Sequence, residues 1–428
     1  MNARIPRLAG ALVPSLGLRA WRLLAGVLVF EIGTGMTLPL VIVYLHQARG
    51  IGLGGAGIAL AAAGAGGTLG TLAAGVTADR YGAGWTALAG LALAATGSVG
   101  YLAVHSTPAA VAVSAVQGAG FAVTWVGMFP LLVRAVVRER RGDVLGANYA
   151  VTNLGLGIGS TLAGVVLAVR PGSYAALFVA DAVSNLLLAG ALIRLGEPAG
   201  RLESEPGGGG SGYRVVLRDR ALAIATALNL LLVVAGYSQM TSAFPSWATS
   251  KVGASASVVG FAFAANTWTI TLAQLPMLAF VRHRRRTRAV AATGLLFAAC
   301  WLLVLTAGEF AAYAAAVAAL VAAAAVFGLG ETLLSPSLPA IVNDLATERL
   351  RARYVAVYSL SWQVGPTIGP AVSGLALASG RGTPLMIGLA IACAAAAPAA
   401  LLYERVLPPT TNKLAETRGA PPPTTASR

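Results

Sequence analysis

The sequence predicts an all-α polytopic membrane protein whose twelve transmembrane helices form two six-helix, pseudo-symmetric bundles. Three observations predict it. Of 428 residues, 57% are hydrophobic and only 11% charged, whereas an ordinary soluble domain carries about 25% charged residues. Apolar runs of about 20 residues recur along the chain, each long enough as a helix to cross a hydrocarbon core of about 30 Å. The basic residues fall into alternate connections between those runs. Gly and Ala at helical spacing favour packed helices over a barrel, whose strands would alternate polar and apolar.

In order, the predicted spans are 21–45, 55–78, 85–104, 108–133, 144–169 and 174–193, then 221–245, 255–281, 289–307, 311–342, 354–378 and 384–406. The first begins near Trp21 and is too long for the core of a signal peptide, so it is expected to stay as an anchor. The tenth is too long for a perpendicular crossing and is expected to tilt, to extend beyond the bilayer, or to start later. The corresponding organisation is a cytoplasmic N-terminus (1–20), a first bundle (21–194) and a cytoplasmic linker (195–220). A second bundle (221–407) and a disordered cytoplasmic tail (408–428) complete it. The linker contains Gly207-Gly-Gly-Gly-Ser-Gly212, a flexible composition, followed by a short surface helix over Tyr213–Arg220.

Of the 30 Lys and Arg residues, 26 fall on one side of this map, and only Arg49, Arg170, Lys251 and Arg381 fall on the other. Positive charge is retained in the cytoplasm, so both termini are expected inside, in a multi-pass protein of the cell (plasma) membrane. The net charge of +15 is then topological and faces anionic lipid heads; no nucleic-acid partner is expected. Cys300 and Cys393 both lie in apolar spans, which argues against a disulfide framework.

The halves repeat. Gly155-Leu-Gly-Ile-Gly159 with Gly164 matches Gly365-Pro-Thr-Ile-Gly369 with Gly374 at an offset of 210. Pro130-Leu-Leu-Val133 matches Pro339-Ala-Ile-Val342 at an offset of 209, and Gly90-Leu91 matches Gly294-Leu295 at 204. Each pair lands on equivalent spans, the pattern expected from duplication of a six-span unit. Between spans two and three stands Gly75-Val-Thr-Ala-Asp-Arg-Tyr-Gly82, with a degraded counterpart around Val281–Arg288.

Six plus six spans, a central linker and this G-x-x-x-D-R-x-G loop together resemble the major facilitator superfamily, a group built on nested repeats. The resemblance covers about residues 20–406, with Thr77 at the usual aliphatic position and Ala83-Gly84 at the usual basic pair. It implies a gating loop of Gly75, Asp79, Arg80 and Gly82, in which Asp79 faces the N-terminal end of span eleven and Arg80 and Arg134 complete a cytoplasmic latch. A carboxylate is favoured at a helix N-terminus, and such a latch would bias an outward-facing state. Ser114-Ala-Val-Gln117-Gly118-Ala-Gly120 resembles a second signature of the family. Antiporters of the group usually carry an arginine where this chain has Ser114, so their proton route does not carry over. The glycine run of span five resembles that of drug exporters but has Ser160 in place of its proline. Gly155, Gly159, Gly365 and Gly369 are read as close-packing positions between helices.

Three carboxylic acids lie within spans: Glu31, Asp181 and Glu331. An ionised acid at the bilayer centre costs about 3 kcal/mol on insertion scales, so each needs a cavity, a partner or a proton. Glu31 lies about 15 Å into the first span by helical rise, near the midplane. The resemblance places spans one, four, seven and ten around a central cavity, with Glu31 and Glu331 facing it from opposite halves. Both are expected to exchange protons with the transported compound. Asp181, on a peripheral span with Asn185 one turn away, is read as a further proton-coupling candidate with a structural alternative. Gln117, Trp125, Asn229, Tyr237 and Gln239 are the substrate-cavity candidates, as amides and aromatic faces suit a mainly apolar site with a few orienting groups.

No Lys or Arg falls in the middle of a span, which favours lipophilic or cationic cargo over anionic cargo. The three histidines, His46, His105 and His283, are far apart in sequence, and no metal spacing, phosphate-cradling loop or nucleophile motif is present. A multispan enzyme is therefore disfavoured, and neither metal nor cofactor is expected. The expected activity is proton-coupled export of small lipophilic or cationic compounds by a monomer, using alternating access. Uptake of a neutral nutrient is the alternative within transport.

Overall fold

The computed structural model describes residues 16–196, 211–281, 284–347, 350–408 and 411–412. These fold into twelve long helical segments: α1 (Leu18–Ala48), α2 (Leu53–Tyr81), α3 (Ala83–Ala103), α4 (Thr107–Arg134), α5 (Arg141–Val169) and α6 (Tyr174–Arg194), then α7 (Arg220–Ser250), α8 (Ala256–Val281), α9 (Arg286–Ala307), α10 (Tyr313–Leu345), α11 (Arg351–Ala378) and α12 (Gly382–Tyr403). Eleven are long and apolar enough to cross a membrane by themselves. The other, α11, is as long but more polar, and it packs between α2 and α7. The predicted N-terminal segment before residue 16, most of the linker and the tail beyond residue 412 lie outside the described residues. A short helix at Ser211–Val216 precedes α7, earlier than the predicted 213–220; a turn intervenes before Asp219 caps α7 by accepting from the Ala221 and Leu222 amides.

The helices pair in the same way in each half. In the first, α1 packs on α5 and α6, α3 on α4 and α6, and α2 on α4; in the second, α7 packs on α11 and α12, α9 on α10 and α12, and α8 on α10. The halves meet where α2 lies against α11 and α5 against α8. Two-fold pseudo-symmetry is thus visible in contacts as well as in sequence.

Proline and wide turns explain the over-long spans. In α10 the helix stops at Leu334, turns through Ser335-Pro336-Ser337, and resumes at Leu338. Pro336 has no amide hydrogen and its ring would clash with the carbonyl one turn back, so a continuous helix is not available there. The tenth span is therefore broken in two, its first piece beginning at Tyr313 against the expected 311. The first helix of each half, α1 and α7, is also interrupted, and each contains a π-helical stretch, Tyr44–Ala48 and Val233–Tyr237. Such wide turns are frequent at functional sites.

The predicted loop after span two is scarcely a loop. Asp79 and Arg80 belong to the last turn of α2, and Gly82 alone, at φ +94°, breaks the chain before α3 begins at Ala83. That backbone conformation is strained for any residue with a Cβ, which accounts for a glycine here.

Candidate functional site

Two buried acidic centres, one in each half, lie among aromatic rings. In the first, Glu31 on α1 is 1% exposed, and its Oε1 is buried without a hydrogen-bond partner. The preceding residue, Phe30, stacks on Phe121 of α4 with ring centroids 5.9 Å apart and meets Trp125 edge-on at 6.4 Å. On the other side α5 brings Gly155 against Glu31; a Cβ on Gly155 would lie 2.6 Å from that of Glu31. Gly159 similarly lies against Ile32 and Gly35 of α1. The small residues of α5 thus let α1 approach closely enough to bury the acid.

In the second half, Glu331 on α10 is 8% exposed and accepts a 3.4 Å hydrogen bond from Asn266 Nδ2 of α8. Tyr237, from the wide turn of α7, lies within electrostatic reach of this carboxyl and contacts three rings. These are Phe297, Phe327 and Trp362, at centroid distances of 5.7, 5.6 and 4.8 Å. Phe297 and Phe327 stack face to face at 3.9 Å. Tyr149 of α5 reaches across from the first half to Ser335 and Glu331. Sequence reasoning singled out Tyr237 and Glu331 but missed Asn266, Tyr149, Phe297, Phe327 and Trp362. Their only signal is convergence from five different helices, which no linear spacing displays.

Other sequence candidates have different surroundings. Asn229 is fully buried and committed: its Nδ2 donates to Ser361 Oγ at 2.7 Å and its Oδ1 accepts from Tyr358 at 2.8 Å, fastening α7 to α11. Gln239 is likewise buried, donating to the carbonyls of Val234 and Gly369. Gly365 and Gly369 make room for this α7–α11 contact, lying against Val233 and Ser238. Asn229 and Gln239 therefore work as interhelix ties, with their polar groups already used. Gln117 points between helices too, its Oε1 lying 3.4 Å from Ser98 Oγ. Trp125 meets the ring of Phe30, the residue before Glu31.

Asp181 is not peripheral in its contacts. It is 1% exposed, and its Oδ2 accepts from Ser98 at 2.6 Å and from Thr37 at 3.5 Å. Asn185, its expected partner, reaches Oδ1 at only 3.4 Å and donates better to the Asp181 carbonyl, at 2.8 Å.

On the arginine-rich face, Asp79 is exposed and, among the described residues, forms no ion pair; Arg80 lies over the ring of Tyr81. Gly75 has open space around it, and Arg134 ends α4. Among the described residues no hydrogen bond or ion pair joins Asp79 to the start of α11, and the close approaches of α2 to α11 lie toward the start of α2 and the end of α11. There Gly54 approaches Ala378, Gly57 approaches Gly374, and Gly64 approaches Pro366. The α5–α8 contact is similar, with Gly164 against Gly260 and Trp268 Nε1 donating to Thr161 at 3.2 Å. The tight seam between halves is on the arginine-poor side.

The family model for the Major Facilitator Superfamily matches residues 23–251 and 227–427. The chain belongs to the major facilitator superfamily. It is 25% identical over 392 residues to the uncharacterized MFS-type transporter YttB of Bacillus subtilis (strain 168), covering 90% of this chain and 94% of that protein. Solved structures share the fold. One is a POT family transporter in complex with 5-aminolevulinic acid (TM-score 0.75, 14% identity, 92% of this chain and 99% of that one). Another is the nucleoside transporter NupG (TM-score 0.72 for its D323A mutant, 13% identity, 90% and 99%). The molecule is thus a membrane transporter of the superfamily's type.

Proposed function

We propose that this superfamily member exports small lipophilic or cationic compounds in exchange for protons, with its arginine-rich face in the cytoplasm of a cell bounded by the plasma membrane. The observation that carries the reading is Glu331 beside the rings of Tyr237, Phe297, Phe327 and Trp362. Aromatic faces attract a cation, and a desolvated carboxyl next to them supplies the charge complement. No Lys or Arg in the middle of the spans competes for that role. Glu31 directly follows Phe30, whose ring meets Phe121 and Trp125, and this supports a second acid near an aromatic cluster on the opposite half.

In this reading the glycine-lined seam closes the extracellular side, and the unmade Asp79 contact belongs to the inward-facing member of the alternating pair. Movement to the outward-facing state opens the seam and brings the ends of α2 and α11 together on the cytoplasmic face. Because the acids sit between two aqueous sides opened in turn, a proton taken up on one side is released on the other, while the cation moves the opposite way. Substrate and proton compete for the same carboxyl groups, which is the physical basis of exchange.

The test uses proteoliposomes with an imposed pH gradient and two probes, ethidium and tetraphenylphosphonium. Antiport predicts that the probe moves against the proton flow and that Glu31→Gln abolishes this gradient-driven movement at matched incorporation. Co-movement of probe and protons would replace export by uptake, and intact driven transport in Glu31→Gln would remove that residue from the coupling.

A further inference from the structure

The strongest unassigned feature is the neighbourhood of Asp181 on α6. Three helices converge on its buried carboxyl. Ser98 of α3 donates at 2.6 Å, Thr37 of α1 at 3.5 Å and Asn185 of α6 at 3.4 Å, while Gln117 Oε1 of α4 lies 3.4 Å from the same Ser98 hydroxyl. Tyr101 of α3, bonded to Ser114 of α4 at 2.9 Å, borders the same cluster. The backbone just after Glu31 packs on Asp181, since a Cβ on Gly33 would stand 3.0 Å from the Asp181 Cα, and the two carboxyls sense each other's charge. Yet Glu31 is treated differently: its Oε1 has no donor at all.

The asymmetry assigns protonation states. A carboxylate held by several hydroxyl and amide donors is stabilised in its charged form. A buried carboxyl oxygen with no donor carries a desolvation cost of several kcal/mol if charged, which a bound proton removes. Two neighbouring buried carboxyls do not both ionise without mutual repulsion. Packing alone does not demand the pair. The pseudo-equivalent helices α7 and α12 contain no Asp or Glu, and they meet through Cys393 Sγ near the Ala235 carbonyl at 3.5 Å.

We propose that Asp181 is the fixed anion of a two-acid unit, a positioning residue that sets the proton affinity of Glu31, while Glu31 alone takes up and gives up the proton. The inference rests on the reading of Glu31 as a coupling acid. The O–H bond of Glu31 is the only bond made or broken, and its proton passes to whichever aqueous side is open. The groups facing Glu31 are few. On α6 there is Asp181 and on α5 Gly155, with Tyr149 the one titratable side chain of that helix between Val144 and Val169, while the Tyr101 hydroxyl of α3 lies beyond Asp181 and pairs with Ser114. Between Thr107 and Val133, α4 contains no charged residue.

The experiment is an infrared titration of the purified full-length protein in a Glu331→Gln background, which silences the buried acid of the other half, following the protonated-carboxyl band with pH and requiring no substrate. Glu31→Gln is expected to remove the titrating component. Asp181→Asn is expected to keep it and move its midpoint about one unit toward lower pH, since a neighbouring negative charge no longer holds the proton. Asp181→Glu, which restores the charge, should return the midpoint toward the parent's. Should Asp181→Asn fail to fold, the Ser98→Ala/Thr37→Val pair serves: stripping donors from Asp181 should add a second titrating component. An unmoved midpoint in Asp181→Asn, or an unaltered titration in the donor-stripped protein, overturns the proposal. Loss of the component in Asp181→Asn but not in Glu31→Gln reverses the roles and overturns it too. If Glu31→Gln leaves the band while Asp181→Asn still shifts it, the coupling role of Glu31 itself is at fault.

Discussion

Gly57 of α2 and Gly374 of α11 face each other backbone to backbone, so that a methyl group on Gly374 would stand 2.7 Å from the Gly57 Cα. Gly164 of α5 is placed against Gly260 of α8 in the same manner, and Gly164 and Gly374 are themselves equivalent at the 210-residue offset. Two symmetric glycine contacts therefore seal one side of the molecule. Neither tolerates a side chain without separating the helices.

The seal can be tested with a cross-link one turn away. The Cβ of a residue at position 54 would lie 3.4 Å from Ala378 Cβ, close to the separation a disulfide requires. A Gly54→Cys/Ala378→Cys protein is expected to oxidise readily and to lose transport until reduced. Adding Gly374→Val should slow the cross-linking at least tenfold, read by gel shift. Equal rates would mean that the seam does not depend on the glycine contact.

Asn229 should behave as a fastener, with no part in choosing substrate. Replacing it by Ala leaves the hydroxyls of Tyr358 and Ser361 without their buried partner, a loss of about 1–3 kcal/mol. The expected outcome is a lower unfolding temperature in detergent with the ranking of transported compounds unchanged. A changed ranking with unchanged stability would return Asn229 to the cavity.

Trp362 should act in the opposite sense. Over a third of its surface is exposed, and it meets the Tyr237 ring at 4.8 Å. Trp362→Ala is expected to weaken binding of tetraphenylphosphonium about tenfold with little effect on stability, as measured by equilibrium binding. Glu331→Gln should weaken the same cation while sparing a neutral analogue of similar size.

At the arginine-rich face, Arg286 is a nearly buried charge at the start of α9, donating to Asp344 Oδ2 at 2.5 Å and to the Thr411 carbonyl at 2.9 Å. Asn412 caps that helix, its carbonyl taking the Arg286 amide at 2.9 Å and its side chain the Thr287 amide at 3.1 Å. Asn412→Ala is expected to cost about 1 kcal/mol, and Asp344→Ala about 1–3 kcal/mol, each seen as earlier thermal unfolding. An unaffected unfolding temperature in both would show that this cluster does not hold the second half together.

Much of this architecture was legible in the chain because hydrophobic span length and arginine placement are properties of local sequence. Helix ends fell within a few residues of expectation wherever glycine or arginine marks them, as at Gly82 and Arg286. The acids stood out for a similar reason: charge in an apolar run is visible without a fold. What could not be read was orientation around each helix. Gln117, Asn229 and Gln239 are polar residues on cavity-lining spans, yet their amides turn to neighbouring helices. Asp181 was underrated because its remote donors lie on α1 and α3, at sequence separations of 144 and 83 residues. Conversely, the resemblance implies an Asp79 contact at the start of α11, and among the described residues Asp79 has no ion-pair partner.

The interruption at Pro336 gives α10 a joint. Its upper piece carries Glu331, one turn above the joint, and its lower piece, Leu338–Leu345, carries Asp344, which grips Arg286. A rod would pass any tilt along its whole length. Two linked pieces let the acid's end move while the other remains moored to α9 and the chain's last described residues, so the joint works as an elbow between a charge-bearing arm and its anchorage.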